Sequence, residues 1–106
     1  MSDCSVFLVT AGKEEEASRI GRALVEEKLV ACVNIIPRIR SIYTWKGEVC
    51  DEEELLLIMK SRSSLFPSIR DRVRELHSYE VPEIIAFPIA AGLPEYLAWI
   101  LENTRE

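Results

Sequence analysis

The sequence predicts an α+β fold, with helices packed on one face of a single antiparallel sheet, from three observations. Hydrophobic periodicity alternates between a period of two and a period near 3.6 along the chain, in the order β-α-β-β-α-β, with a short helix after it. The two middle strands are long and separated by Lys46-Gly47, which reads as a hairpin. The strands carry apolar side chains toward both faces, whereas each helix carries them along one stripe. At 106 residues the chain has the length of one ordinary domain, so residues 1–106 are read as one domain with one core.

Ser5-Val6-Phe7-Leu8-Val9-Thr10-Ala11 is an apolar run filled on both sides, as in a central strand covered on at least one face. Gly12 allows the turn that follows. Lys13-Glu14-Glu15-Glu16-Ala17 sets acids at the positive end of a helix, with Thr10 as the nearest candidate cap. Ala17, Ile20 and Leu24 share one face, while Glu15, Arg19, Arg22 and Glu26 face water; the helix ends near Lys28.

Strand propensity resumes over Leu29–Ile36, and Pro37, lacking an N–H for the ladder, predicts an edge, a bulge or a break. From Arg38 to Trp45, Ile39, Ser41, Tyr43 and Trp45 lie one way and Arg40, Ile42 and Thr44 the other. Glu48 to Lys60 is the return strand, with Leu55, Leu57 and Met59 opposite Glu54, Leu56, Ile58 and Lys60. Strands of this length outrun a small sheet, so a hairpin arm with unpaired edges is expected.

Ser63 or Ser64 is the candidate cap of a second helix, in which Pro67 is tolerated because it falls in the first turn. Its buried stripe is Phe66, Ile69, Val73 and Leu76. Pro82 divides this helix from an apolar strand over Glu83 to Ile89, which Pro88 marks as an edge or an end. Pro94 opens a short helix that offers Tyr96, Leu97, Ile100 and Leu101 for packing, and Glu102–Glu106 is expected to fray. The whole order is the split βαβ, or ferredoxin-like, pattern. With both main helices on one side, the other sheet face keeps its Leu, Ile and Val side chains uncovered, and burial against copies of the chain in a closed homo-oligomer is the expected solution.

Hydrophobic residues make up 48% and charged ones 29%, enough apolar material for a core and a subunit contact. The formal charge of -5 gives no positive field for phosphate backbones, which argues against nucleic acid, while the carboxylates modestly concentrate cations. Cys4, Cys32 and Cys50 are odd in number and widely spaced, so neither a disulfide framework nor a structural zinc module is indicated, and the expected compartment is reducing. Met1-Ser2-Asp3-Cys4 has no basic leader character, and no apolar run approaches the roughly 20 residues that span a bilayer. A cytoplasmic protein without a membrane partner is expected.

Cys32 is the best candidate for a soft-metal ligand, since thiolate suits Cu(I) and tolerates Zn(II); it reads equally as a small buried hydrophobe. Cys4 and Cys50 have weaker claims. His77, the one histidine, can ligate a metal or close the last turn of the second helix. Glu80 and Glu83 follow it at spacings of three and can join it on a loop rim or stand as solvated carboxylates. Tyr43 and Trp45 near the hairpin tip suit an interface, and Glu54 in the acidic run Asp51-Glu52-Glu53-Glu54 can face a partner's base or a cation. No phosphate-binding glycine motif is present, so no organic cofactor is implied. No nucleophile-elbow serine is present either; no catalytic residue is assigned, and an enzyme is not the expected reading.

Five segments together resemble the CutA divalent-cation tolerance family: Ala31-Cys32-Val33-Asn34-Ile35 with Pro37, Ser41-Ile42-Tyr43-Thr44-Trp45-Lys46-Gly47, Glu54–Lys60, His77-Ser78-Tyr79-Glu80-Val81-Pro82-Glu83-Ile84-Ile85 and Tyr96-Leu97-Ala98-Trp99-Ile100. The resemblance runs in order from about Val6 to Ile100. It implies a ferredoxin-like subunit in a homotrimer shaped like the PII signalling proteins, acting in divalent-cation tolerance with copper or another divalent cation bound. Cys32, His77, Glu80 and Glu83 are then the metal candidates, and Tyr43, Trp45, Glu54 and Trp99 the trimer-interface candidates. Lys60, Arg38 and Tyr79, with Arg40 nearby, are candidates for an intersubunit cleft, where the alternative reading, a signalling or scaffold protein, would bind a small anion or a protein partner. Ser78 stands where the family usually has proline, which frees the backbone before Tyr79 and is expected to leave that loop less preorganised.

Overall fold

The computed structural model describes residues 3–106; the reading that Met1 and Ser2 belong to no leader lies outside the described residues. The elements are β1 (Cys4–Ala11), α1 (Glu14–Glu26), β2 (Cys32–Trp45), β3 (Glu48–Arg62), α2 (Phe66–Leu76), β4 (Ile85–Pro88) and α3 (Pro94–Glu102). The strands form one sheet in the order β2-β3-β1-β4, every neighbour antiparallel, which is the ferredoxin-like arrangement.

Burial alternates along β1 and the second half of β3, as a pleated strand with unequal faces requires. Phe7, Val9 and Ala11 pair with Met59, Leu57 and Leu55 beneath the two long helices. Ala17, Ile20 and Leu24 of α1 and Ile69 and Val73 of α2 complete this core, all without exposure, so the predicted stripes are the buried ones. Each large side chain hidden there contributes roughly 1.5–3 kcal/mol against the entropy of ordering it.

The opposite face carries Val6, Leu8 and Thr10 of β1 in register with Lys60, Ile58 and Leu56, flanked by Ile36 of β2 and by Ile85 and Phe87 of β4. It is not wholly bare as expected. The short α3 folds over its Cys4 end, where Ile100 is buried against Cys4 and Ala31 with Leu97, Leu101 and Ile89 around them. Nine residues cannot cover four strands, so Ile36, Ile85 and Phe87 stay 41%, 50% and 47% exposed.

Several local expectations are corrected. Thr10 lies inside β1 and caps nothing; Lys13 is the N-cap of α1 and gives no side-chain bond. Leu29 and Val30 do not begin the second strand, because their N–H groups are spent on the Leu24 carbonyl at 2.9 and 3.2 Å, closing α1 before the chain extends. Ser63 and Ser64 form a 3₁₀ turn instead of capping α2, and the Ser63 hydroxyl is 2.6 Å from that of Ser5. β4 is shorter than predicted, since only Ile85–Pro88 pair with β1, at the sheet edge where Pro88 is tolerated. The C-terminal tail is tethered: Thr104 Oγ1 donates to the Ile100 carbonyl (2.9 Å) and accepts from Arg62 (3.0 Å), while Arg105 N–H donates to Lys28 (2.9 Å).

Pro37 sits in a bulge, where the β2–β3 register shifts between Ile36 and Ile39 and Arg38 takes a positive φ of 61°. At the far end Lys46 and Gly47, with φ of 51° and 82°, make the two-residue left-handed turn that matches hairpin twist. Gly47→Val is therefore expected to cost about 1 kcal/mol or more in urea unfolding at fixed protein concentration, with Lys46→Asn near neutral.

Candidate functional site

Past Leu55 and Ala11, β3 has left β1, and Ile39–Trp45 paired with Glu48–Glu54 continues alone as a two-stranded arm. The chain following α2 folds back toward the root of the arm. Between them lies a cleft of about 700 Å³, walled by Thr10, Tyr43, Trp45, Glu54 and Tyr79 and rimmed by Glu80, Val81 and Glu83. Gly12 lies close by, and a Cβ added there would stand 3.0 Å from the Tyr79 hydroxyl, which would have to shift by a few tenths of an ångström.

A polar network, with Glu16 and His77 buried and Ser78 at the surface, holds the wall. His77 ends α2, its N–H donating to the Val73 carbonyl (2.9 Å). Its Nε2 lies 2.6 Å from the Thr10 carbonyl, which can only accept, so Nε2 carries the proton; Nδ1 then accepts the Tyr79 N–H at 3.1 Å. Both ring nitrogens are thus spent within the chain. Glu16, 7% exposed, accepts from the backbone N–H and the hydroxyl of Ser78, each at 3.1 Å. A proline at position 78 could give neither bond. These two bonds tie the loop to α1 at the position where the family usually has the ring.

The cleft is acidic. Glu54 is 6% exposed and accepts a hydrogen bond from the Tyr79 hydroxyl at 2.6 Å, while Tyr43 donates to Glu52 at 2.5 Å. Burial, then the bond to Glu54, pushes the Tyr79 phenol far above its ordinary value. The bond to Glu52 is the main reason that Tyr43 is raised to about 12. Burial and the nearby Glu54 charge raise the Glu83 carboxyl above its ordinary range. The one base along the walls, Arg40, is held bidentate by Asp51 at 2.8 and 2.6 Å, and that bond keeps the Asp51 carboxyl low.

The sequence model of the CutA1 divalent ion tolerance protein family matches residues 5–103. The chain belongs to this family. It is 54% identical over 99 residues to the divalent-cation tolerance protein CutA of Thermus thermophilus, covering 93% of this chain and 96% of that one. It is 47% identical over 101 residues to Protein CutA of Mus musculus, covering 95% of this chain but 57% of the longer mouse protein. Among solved structures, CutA1 from Oryza sativa superposes with a TM-score of 0.95 at 43% identity, covering 99% of this chain and 96% of the rice one. The periplasmic divalent cation tolerance protein CutA from Archaeoglobus fulgidus superposes with 0.88 at 45% identity, covering 92% and 94%.

Within this CutA1 fold the predicted metal candidates are spread out. Cys32 lies at the α3 end of the sheet, in register with Lys60, its Sγ 3.7 Å from the Tyr96 hydroxyl. His77 belongs to the other end, beneath Thr10, and Glu80 and Glu83 belong to the cleft rim. Among the described residues no three His, Cys, Asp or Glu side chains are arranged to hold a metal, so the four do not fit a metal ion within one chain. The cleft candidates are also parted: the Lys60 ammonium donates to Asn34 beside Cys32 and Arg38 is exposed in the bulge, whereas Tyr79 and the nearby Arg40 line the cleft. Tyr43, Trp45 and Glu54 share one side of the arm, whereas Trp99 stacks on Tyr96 (5.6 Å) on α3.

Glu16 is the site residue that the sequence reading passed over. It stands four residues before Ile20, on the buried stripe, and a carboxylate there needs hydrogen-bond partners. Ser78→Ala is expected to lower the unfolding free energy by about 1 kcal/mol, and Glu16→Ala by about 2–3 kcal/mol, with the double variant little worse than Glu16→Ala alone in urea titration. For Tyr43 the folded protein favours the neutral donating phenol, so its contribution to stability is whole below pH 10 and fades as pH rises through about 12. Phenolate absorbance should show one tyrosine ionising near pH 12 and returning toward ordinary behaviour in Glu52→Gln.

Proposed function

We propose that this chain acts in divalent-cation tolerance as a homotrimer whose copies bury the open sheet face and that holds copper or another divalent cation between them. The apolar ground around Ile36, Ile85 and Phe87, left uncovered by α3, carries this reading. It is continuous with free edges on β2 and β4 and with an arm whose outward edges have no partner in the chain. The number three, and the likeness to PII trimers, rest on family membership. In that assembly Tyr43, Trp45, Glu54 and Trp99 are the proposed contact residues.

Cys32 supplies the soft donor, half-buried and within reach of the open face. Because among the described residues no three His, Cys, Asp or Glu side chains gather to hold a metal, the remaining donors are proposed to come from a neighbouring copy, with Glu83 and Glu80, the latter 3.8 Å from the Lys46 ammonium, as the carboxylates. His77 would have to release Thr10 or Tyr79 to take part. The alternative, a signalling or scaffold protein that binds a small anion or a protein partner in an intersubunit cleft, keeps Lys60, Arg38 and Tyr79 as its candidates, which within one chain lie apart. We place the protein in a reducing cytoplasm, in keeping with three free cysteines. No helix among the described residues is long and apolar enough to cross a membrane.

Light scattering at micromolar concentration is expected to give three times the 12.1 kDa chain mass, and Phe87→Glu to give folded single chains. A native protein that is already monomeric would sink the assembly. In copper titration, Cys32→Ala is expected to lose most of the bound metal while keeping the trimer mass; unchanged stoichiometry and affinity remove Cys32 from the site.

A further inference from the structure

We infer that His77 is a positioning residue and not a metal ligand, and, resting on the metal reading proposed above, that the cation is held without imidazole. A histidine that binds a metal offers one nitrogen to the ion and steadies its ring by donating from the other to a carbonyl or a carboxylate. His77 meets half of that description, since Nε2 donates to the Thr10 carbonyl at 2.6 Å. The nitrogen left over is not open. Nδ1 accepts the Tyr79 N–H at 3.1 Å, and the Tyr79 ring packs on the imidazole with centroids 4.5 Å apart. The His77 side chain is wholly buried, and the carboxylate beside it, Glu16 at 3.6 Å from Nδ1, already accepts from the N–H and the hydroxyl of Ser78.

An ion at Nδ1 would strip the Tyr79 N–H of its acceptor and compete with Ser78 for Glu16, and among the described residues no third His, Cys, Asp or Glu joins that pair to hold it. An ion at Nε2 would have to remove the ring proton and leave the Thr10 carbonyl without that donor. Neither nitrogen is free at small cost. The chain carries one histidine, so an assembly of identical copies has no other imidazole to lend. The donors that remain for the proposed cation are thiolate and carboxylate, from Cys32 and from Glu83 and Glu80. What the ring does instead is set Tyr79. It ties β1 to the residue whose hydroxyl donates to Glu54 at 2.6 Å, and Glu54 is among the proposed contact residues of the assembly.

A single histidine gives a single ring in a two-bond proton–nitrogen correlation spectrum of the full chain, taken at native mass and mildly alkaline pH. The ring is expected to carry its proton on Nε2 and to keep its nitrogen shifts as copper(I) is added anaerobically to excess. A proton on Nδ1, or a nitrogen shift that saturates with added copper(I), overturns the proposal. Two variants separate the bonds. In His77→Asn the side-chain carbonyl can still accept the N–H two residues on, whereas His77→Ala has no acceptor to offer. Both should lower the urea midpoint, Asn less than Ala, and His77→Asn at native mass should keep the copper stoichiometry and hold affinity within about twofold. Affinity about tenfold weaker in His77→Asn overturns the exclusion from the metal, and equal midpoints in the two variants overturn the positioning role. If His77→Ala fails to fold, His77→Asn and the ring of the native protein decide. A native protein that takes up no copper sinks the metal reading alone, because the ring tautomer still reports what His77 does. A copper-bound ring sinks this inference alone, because Cys32 and the carboxylates can keep their place beside it.

Discussion

The constraint on which this molecule turns is a shortage of cover: the sheet is apolar on both faces, but the chain brings long helices to only one. α1 and α2 close the face of Phe7, Val9, Leu57 and Met59 completely. α3 closes one end of the other and stops, leaving Ile36, Ile85 and Phe87 in water. At roughly 25 cal/mol per Å² of apolar surface, leaving such side chains wet forgoes a gain comparable to a large part of a small domain's net stability. The proposed association between copies would cover that ground, and the arm that reaches beyond the sheet would extend the surface for it.

Polar burial is handled in the opposite way, by satisfying every group locally. Glu16, His77, Ser78, Tyr79 and Glu54 form one connected set running from α1 through the end of α2 to the root of the arm. Among the described residues no buried side-chain nitrogen or oxygen is left without a hydrogen bond. The set fixes Tyr79 against the arm through bonds from the chain's own residues, which shape the cleft. The same set explains why the histidine, attractive as a ligand by residue type, works here as a strut.

Much of the fold was legible because periodicity is a property of burial. Ala17, Ile20 and Leu24, and the alternation of Leu55, Leu57 and Met59, could be read directly, and the structure buries them all. The misread boundaries share one cause, competition for backbone groups: Leu29 and Val30 have strand-forming neighbours, yet the Leu24 carbonyl claims their N–H groups. The tail was read as frayed because Thr104 and Arg105 find their partners, Arg62 and Lys28, far away in sequence. The site was less legible than the fold. A spacing of three between His77, Glu80 and Glu83 says nothing of direction once the helix has ended, and Glu16 was hidden in plain view among three acids that all suit a helix N-terminus.

The extra residue at Pro37 and Arg38 decides what the arm is. Before it, Cys32, Asn34 and Ile36 point to the open side of the sheet, and beyond it the odd-numbered Ile39, Ser41, Tyr43 and Trp45 do, because β2 advances three residues while β3 advances two. A β2 of the same sequence that ran on without the shift would set Arg38 in place of Ile39 opposite Glu54, and its distal half would be turned inside out. Arg40, Ile42 and Thr44 would then take the side now held by Tyr43 and Trp45, and those rings would turn to the opposite face. One irregularity in a hydrogen-bond ladder thus sets the chemistry of a surface several residues away.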